Sequence, residues 1–276
     1  MTAEPAAPAD LGPAEAILIE GADASAFAHA QFASDVRALG VARWQWSAWL
    51  DAQGRVRALF QLGRLDAQRY IALLRGGAAT ALSEALRRYV LRAKVALTPL
   101  PAHALAATEP LDMHALRGDG DAFEFGLGAR GLRVDARAAP ADFARAETFR
   151  LADVRAGWPW LPAAALDAYV PQALGLQQLG AIALDKGCYP GQEIVARLHY
   201  RGGLKRQLWR IGSAAAIAPG ATLRHAEQPC GVVLNAAAAA GACEALAVVH
   251  RELPPDTPLL IDDSSAPATL LQRFPP

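Results

Sequence analysis

One stretch stands apart from the alanine- and leucine-rich remainder of this chain and decides how we interpret its fold: Asp185-Lys186-Gly187-Cys188-Tyr189-Pro190-Gly191-Gln192-Glu193-Ile194-Val195-Ala196-Arg197. Residues 189–192 have the composition of a type II turn, because proline at the second position presets φ and glycine at the third accepts a positive φ. The turn predicts the start of a helix. Glu193 would lie in the first helical turn, where the helix dipole favours an anion, and Gly202 would end the helix.

Cys188 lies just before the predicted helix and two residues from Lys186. Both features favour a thiolate over a thiol, so the sequence predicts a reactive Cys188 assisted by Lys186. The alternative is that Cys188, like many lone cysteines among apolar residues, is simply buried. A thiol reagent that alkylates Cys188 no faster than Cys230 or Cys243 would favour that alternative.

The motif Lys186-Gly187-Cys188-Tyr189-x-Gly191-Gln192-Glu193 resembles the signature of the YgfZ proteins, which are folate-binding relatives of the glycine-cleavage T-protein, an aminomethyltransferase. The likeness touches most of the chain, but only the cysteine-containing motif is close to diagnostic. The further matching segments are Gly21-Ala22-Asp23, Gln31, Asp35-Val36, Asp51-Ala52-Gln53-Gly54, Val170-Pro171-Gln172-Ala173-x-x-Leu176-Gln177, Val195-Ala196-Arg197 and Arg201-Gly202.

This resemblance implies an α+β, T-protein-like fold. Two ferredoxin-like α+β units would be followed by a small C-terminal β-barrel, all arranged around a central opening that receives tetrahydrofolate. On this plan residues 1–12 form a flexible tail, residues 13–203 form the folate-binding α+β region in two subdomains, and residues 204–276 form the barrel.

The hydrophobic pattern agrees with that plan. Alternation places Trp44, Trp46, Ala48 and Leu50 on one side of a strand, and residues 51–54 turn it into a returning strand, which predicts a hairpin with one buried face. Other strands are predicted at residues 16–20, 70–74, 95–97, 123–127 and 132–134, and short barrel strands at residues 207–211, 231–234, 246–249, 258–261 and 269–272. Helices are predicted after the N-cap Asp23, at residues 78–93 with Leu82, Leu86, Tyr89 and Val90 inward, and at residues 142–157.

Composition excludes several classes of protein. Hydrophobic residues make up 53% of the 276 residues, but charges interrupt them too often for a membrane span of about 20 apolar residues. Three scattered cysteines without a C-x-x-C pair argue against a disulfide framework and against a self-contained zinc or iron–sulfur ligand set. The six histidines form no i, i+4 pair, so no stably bound metal is expected. A monomer in the reducing cytoplasm is expected.

The charges balance, with 27 Lys plus Arg against 27 Asp plus Glu, so no global field favours nucleic acid and direct nucleic-acid binding is not expected. The best candidate for a local anion site is the basic run at residues 197–206. A second cluster consists of Arg87, Arg88, Arg92 and Lys94. For both, a solvated face is the more common explanation.

A folate combines a flat pterin and an aminobenzoate with glutamate carboxylates, so its site requires aromatic faces and cations. The resemblance places Phe149 where an aromatic folate contact is expected. The other folate candidates are Gln31, Tyr189, Arg197 and Arg201. For Trp44 and Trp46, core packing is the preferred interpretation.

The aminomethyltransferase carries an Asp on the strand after the hairpin turn, where this chain has Ala58 and Leu59. The resemblance therefore implies the YgfZ branch, which maintains iron–sulfur enzymes, including radical enzymes that modify tRNA, in a folate-dependent way. Cys188 would exchange with, shield or transiently ligate a group at the folate opening, and the motif would position it. Lys186 would favour the thiolate, Gly187, Tyr189 and Gly191 would shape the loop, and Gln192, Glu193 and Arg197 would orient it.

Three alternatives stay open. For Gln192 and Glu193 the alternative role is helix capping alone. For the protein as a whole, the second hypothesis is a folate-dependent one-carbon transferase or demethylase that uses a different acid. The third is direct RNA binding through residues 197–210.

Overall fold

The computed structural model describes residues 7–250, 253–254, 257–262 and 266–275. The chain divides into two units, one formed by the described residues of Met1–Ser47 and Ala58–Ala146 and the other by those of Ala48–Arg57 and Glu147–Pro276. No α-helix in this part of the chain combines the length and the apolar character needed to cross a membrane.

The first unit contains two five-stranded sheets and two helices. Its elements are β1 (Ala9–Pro13), β2 (Ala16–Glu20), α1 (Ala24–Gln31), β3 (Arg43–Leu50), β4 (Val56–Arg64), β5 (Arg69–Leu74), α2 (Ala79–Arg87), β6 (Ala96–Pro99), β7 (Ala104–Thr108), β8 (Leu116–Asp119), β9 (Ala122–Gly126) and β10 (Gly131–Asp135). The strand orders are β3-β4-β5-β2-β6 and β1-β7-β10-β9-β8. The tip of the β3–β4 hairpin belongs to the second unit.

The second unit contains two helices and a closed six-stranded barrel. Its elements are α3 (Phe143–Ala156, which begins in the first unit), two short 3₁₀ turns (Ala163–Ala165 and Pro171–Leu174), α4 (Gln192–Arg201), β11 (Arg206–Ser213), β12 (Thr222–His225), β13 (Gln228–Ala239), β14 (Ala242–His250), β15 (Leu259–Ile261) and β16 (Ala266–Arg273). The barrel closes in the order β11-β14-β13-β12-β15-β16. The predicted α+β fold with a C-terminal barrel is confirmed.

The barrel starts next to the predicted boundary at residues 203 and 204, and the chain from Glu147 onward groups with it. Its interior is filled by aliphatic side chains such as Ile211, Leu223 and Val233. The five predicted strands are present. The alanine run after Asn235 extends β13, and β12 was not predicted, since its four residues include an arginine and a histidine and show little hydrophobic pattern.

The β3–β4 hairpin differs from the expectation of a single buried face. Ser47 and Trp49, on the face opposite Trp46, are also buried. In the first unit, Phe60 of β4 packs edge-on against Phe32 with ring centroids 4.7 Å apart. On the other face, a Cβ at Gly63 would lie 2.6 Å from Leu116 of the second sheet. The hairpin is thus covered on both sides.

Trp44 and Trp46 pack in the core, as preferred from the sequence. The indole N–H of Trp44 donates a hydrogen bond to the carbonyl of Gly126 at 2.8 Å, and the rings of Trp44 and Trp46 meet edge to face with centroids 5.7 Å apart. Both rings are buried in the first unit.

The predicted flexible tail is wrong for Ala9 to Gly12. These residues belong to β1, which pairs antiparallel with β7, and Ala9 lies opposite Ala107 and is buried. β1 contains Gly12 and Pro13 and β7 is rich in alanine, so neither shows clear hydrophobic alternation and their pairing was not visible in the sequence. The rest of the predicted tail, residues 1–6, lies outside the described residues.

Helix α2 is shorter than predicted. It ends at Arg87, and Tyr89, expected to point inward, is 47% exposed. Leu82 and Leu86 are buried, as expected. Asp23 precedes α1 as predicted, but its carboxylate accepts the backbone N–H of Lys94 at 2.6 Å instead of capping the helix.

Candidate functional site

The motif forms the predicted turn and helix. Gly191 has φ 77° and ψ 0°, which are the values for the third position of a type II turn, and the Gln192 N–H donates to the Tyr189 carbonyl at 3.3 Å. Helix α4 then runs from Gln192 to Arg201, with Glu193 in its first turn and Gly202 as its C-cap. The local chemistry of the sequence is sufficient to produce this element.

The turn is fixed by contact with the tip of the β3–β4 hairpin, which belongs to the same unit. A Cβ at Gly191 would lie 2.5 Å from the Asp51 carbonyl oxygen and 2.7 Å from the Gly54 Cα. A Cβ at Gly54 would in turn lie 3.1 Å from the Ile194 Cβ. Two backbones approach this closely only where both residues lack a side chain. The hairpin tip therefore fixes the position of the motif.

The hairpin tip has its own anchors within the unit. Asp51 accepts the Arg55 N–H with its side chain at 2.8 Å. The N–H of Val56 donates to the Tyr169 carbonyl at 2.8 Å, and the Arg57 guanidinium donates to the Asp167 carboxylate at 3.1 Å. These bonds connect the tip to the segment that leads into the motif.

Cys188 is exposed, whereas Cys230 and Cys243 are buried in the barrel. The interpretation of Cys188 as a simply buried cysteine is therefore wrong. Burial raises the pKa of both barrel thiols above the usual value. Cys188 is thus the accessible one of the three cysteines.

Lys186 and Tyr189 contact each other beside Cys188. The Lys186 Nζ lies 5.0 Å from the centroid of the Tyr189 ring, within the range of a cation–π interaction. Tyr189 is buried, and desolvation raises the pKa of its hydroxyl to about 12. The ring therefore packs against the Lys186 ammonium group, while the role of Lys186 toward the Cys188 thiolate stays a prediction.

Gln192 has a contact that helix capping does not explain. Its side-chain N–H donates to the Lys186 carbonyl at 3.3 Å, which closes the loop between these residues around Cys188. No side-chain hydrogen bond caps α4. Glu193 and Gly187 are exposed.

Gln172 was not among the predicted site residues. It is buried in the 3₁₀ turn Pro171–Leu174, and its amide donates to the Val195 carbonyl at 3.0 Å. This bond holds the turn against α4. The sequence signal was its place in a segment that matches the YgfZ proteins, but nothing in that segment indicated its partner.

The folate candidates lie in different places. Arg197 and Arg201 are exposed on α4, and Phe149 is buried in α3 in the same unit. Gln31 ends α1 in the first unit. Among the described residues, no three His, Cys, Asp or Glu side chains are grouped so that they could hold a metal ion.

Comparison with known proteins tests the resemblance. A tRNA-modifying protein YgfZ of Edwardsiella ictaluri is 29% identical over 299 aligned positions, covering 94% of this chain and 89% of that protein. The Escherichia coli tRNA-modifying protein YgfZ is 46% identical over 67 residues, covering 24% of this chain and 21% of that protein. The resemblance to the YgfZ proteins is confirmed. The chain matches no established protein-family profile.

The fold comparison agrees with this family likeness. The structure superimposes on the glycine cleavage system aminomethyltransferase T of Bartonella henselae with a TM-score of 0.72 and 17% identity, covering 96% of this chain and 84% of that one. At this identity the likeness shows the fold alone. The YgfZ-like sequence thus has the T-protein fold.

Proposed function

We propose that this chain is a folate-binding factor that supports the assembly or repair of iron–sulfur enzymes, including those that modify tRNA, with Cys188 as its reactive group. The observation that carries the proposal is the exposure of Cys188 on a loop whose backbone is fixed at both ends. The Gly191 turn against the hairpin tip fixes one end, and the Gln192–Lys186 bond fixes the other. Such a loop presents a thiol to a partner in one position.

The candidate residues fit a folate in their chemistry. The hydroxyl of Tyr189 is buried and has no hydrogen-bond partner in the described part of the chain. Buried polar groups of this kind favour a polar ligand. Arg197 and Arg201 would pair with the glutamate carboxylates of the folate, and Phe149 would contact its aromatic part.

In this proposal the chain's own residues position the thiol. Lys186, over the Tyr189 ring, favours the thiolate, and Gln192 holds the loop that carries it. The thiolate exchanges with, shields or transiently ligates a group on the partner enzyme. This maintenance depends on bound folate, which the protein would bind without turnover.

The test separates folate binding from thiol function. Calorimetric titration with tetrahydrofolate is expected to show equal binding by the wild type and by Cys188→Ala. Complementation of iron–sulfur enzyme activity in cells lacking the endogenous protein is expected from the wild type and not from Cys188→Ala. Cys230→Ala, which removes a buried thiol, is the matched control and is expected to complement.

Two results would contradict the proposal in different ways. Full complementation by Cys188→Ala would exclude the proposed role of the thiol. Absence of tetrahydrofolate binding by the wild type would exclude the folate role.

The second candidate function is a folate-dependent one-carbon transferase or demethylase, because the fold is that of an aminomethyltransferase. Against it, the positions of the expected acid carry Ala58 and Leu59, both buried. This candidate requires turnover of a methylated or aminomethylated substrate with tetrahydrofolate, whereas the maintenance factor binds folate without turnover.

A further inference from the structure

A cavity lies within the second unit beside the C-terminal end of α4, away from the turn that precedes this helix. Its volume is about 450 Å³, which falls in the usual range for small-molecule sites. Leu198, Leu204 and Pro275 supply apolar walls. The cavity is therefore suited to a small ligand with an apolar body.

Gln172 contributes an unsatisfied acceptor to this lining. The side chain is only 3% exposed, and its amide N–H is used by the Val195 carbonyl. Its Oε1 is buried and has no hydrogen-bond partner within the described residues. A buried acceptor without a donor is unfavourable, so this atom is a position for a ligand N–H.

The other polar lining groups offer further hydrogen bonds. The Gln177 amide nitrogen lies 2.8 Å from His199 Nδ1. In the tautomer whose Nδ1 accepts the amide N–H, His199 Nε2 carries the proton and can donate to a ligand. Gln207 also lines the cavity, where its amide is oriented by a 2.7 Å bond to the Phe274 carbonyl.

The charged group in the lining is positive. Arg273 lines the cavity, with its guanidinium 6.0 Å from the centroid of the Trp209 ring. None of the described residues that line the cavity is an aspartate or a glutamate. Arg201 and Lys205, which flank the lining in sequence, are exposed. An anionic group is therefore favoured at this end of the ligand.

We propose that this cavity binds a nucleotide. The base would lie between the apolar walls with an amino group directed to Gln172 Oε1, the acceptor for which the described residues supply no donor. The phosphate would pair with Arg273, since a guanidinium matches the geometry of phosphate oxygens. This site is separate from the thiol loop and does not depend on the folate proposal.

The test is calorimetric titration of the full chain with AMP. Adenosine lacks the phosphate, ribose 5-phosphate lacks the base, and purine riboside 5′-monophosphate lacks the amino group. Each of the three is expected to bind at least about tenfold more weakly than AMP, because each loses one of the proposed contacts. Ribose 5-phosphate that binds as well as AMP would overturn the proposal in favour of a simple phosphate site.

Variants locate the site. Arg273→Gln is expected to weaken AMP binding about tenfold or more and to leave adenosine binding unchanged. Gln177→Ala, a change at a half-buried side chain, is expected to weaken AMP binding severalfold. Arg92→Gln removes the same charge from an exposed arginine outside the lining and is expected to change nothing. Equal AMP affinity of Arg273→Gln and the wild type would overturn the proposal.

Two further titrations identify the source of the nucleotide. A hexameric oligoadenylate that binds more tightly than AMP, with a steeper salt dependence, would assign the site to an RNA strand, and one that binds no more tightly would assign it to a free nucleotide. AMP binding is expected to be unaffected by saturating tetrahydrofolate. Competition between the two, or failure of both AMP and the oligoadenylate to bind, would overturn the proposal.

Discussion

The motif loop and the barrel belong to the same unit, yet the cysteine of the loop is exposed and the cysteines of the barrel are buried. In the barrel, Cys230 and Cys243 are buried, and the Cys230 thiol donates to the Leu223 carbonyl at 3.4 Å. In the motif, backbone contacts fix the chain and Cys188 is left exposed. The difference shows that a segment can be held in place by backbone contacts while its thiol stays accessible.

The largest expected effect is the difference in alkylation between the two regions. In the native protein, iodoacetamide should modify Cys188 on the order of 100-fold faster than Cys230 or Cys243, because the barrel thiols react only after local opening. Their raised pKa values act in the same direction, since a higher pKa leaves less thiolate at neutral pH. Peptide mass spectrometry over time measures the three rates.

Alkylation in concentrated urea is the control for this comparison, since unfolding should bring the three rates close together. Equal rates in the native protein would show that the exposed loop and the closed barrel do not differ in thiol reactivity.

The next effect concerns how the motif loop is held. Gly191→Ala places a Cβ 2.5 Å from the Asp51 carbonyl oxygen at a backbone with φ 77°, so the turn and the hairpin tip must separate. We expect a loss of about 2–4 kcal/mol in the free energy of unfolding, measured by urea denaturation.

Gly187→Ala is the matched control from the same loop. A Cβ there would meet nothing within 4 Å, and its φ is not in the left-handed region. Its effect should stay within about 0.5 kcal/mol. If the two variants are equally stable, the contact with the hairpin tip does not hold the loop.

The same contrast explains how much could be predicted from the sequence. The turn and α4 follow from Pro190, Gly191 and Gly202, whose effects act over a few residues, and the barrel strands follow from short apolar runs bounded by turns. These features depend on local chemistry. The turn and α4 were predicted with nearly correct bounds, whereas the predicted barrel strands are present but mostly longer than predicted.

What the sequence did not reveal depends on contacts between distant residues. Nothing local to Gly54 indicates that its backbone meets Gly191, and Gln172 gives no sign that its amide binds the Val195 carbonyl. The second buried face of the β3–β4 hairpin was missed for the same reason, since the segment after α1 packs against it, with a 2.7 Å hydrogen bond between the hydroxyls of Ser34 and Ser47. The alanine-rich β7 was missed because small side chains produce little alternation.

A smaller effect comes from Tyr189, which packs beneath Lys186 in the motif. Burial raises the pKa of its hydroxyl to about 12 from 10.0, so the folded state keeps the proton where the unfolded state has lost it. The contribution of the neutral hydroxyl is therefore complete below pH 10 and is lost as the pH rises through 12. We expect it to amount to about 2 kcal/mol.

The Phe side chain of Tyr189→Phe cannot ionise. Comparison with this variant therefore separates the contribution of the Tyr189 hydroxyl from those of the other groups that titrate in the same pH range. The unfolding free energies of the wild type and of Tyr189→Phe are measured by urea denaturation at pH 9 and at pH 12. Between these two pH values the wild type should lose about 2 kcal/mol more than the variant. A difference that stays constant over this range would mean that the ring is not buried in solution.

The smallest effect distinguishes loop closure from helix capping at Gln192. Its amide donates to the Lys186 carbonyl at 3.3 Å, so Gln192→Ala should release one end of the loop that carries Cys188 and lower the unfolding free energy by about 0.5–1 kcal/mol. Hydrogen exchange of residues 186–191 should become faster. Glu193→Ala is the matched control, because Glu193 is exposed in the first turn of α4 and should affect the helix start without affecting the loop. If hydrogen exchange is unchanged in Gln192→Ala, the Gln192 side chain acts at the start of the helix. The loop that carries the thiol would then be held by the hairpin contact alone.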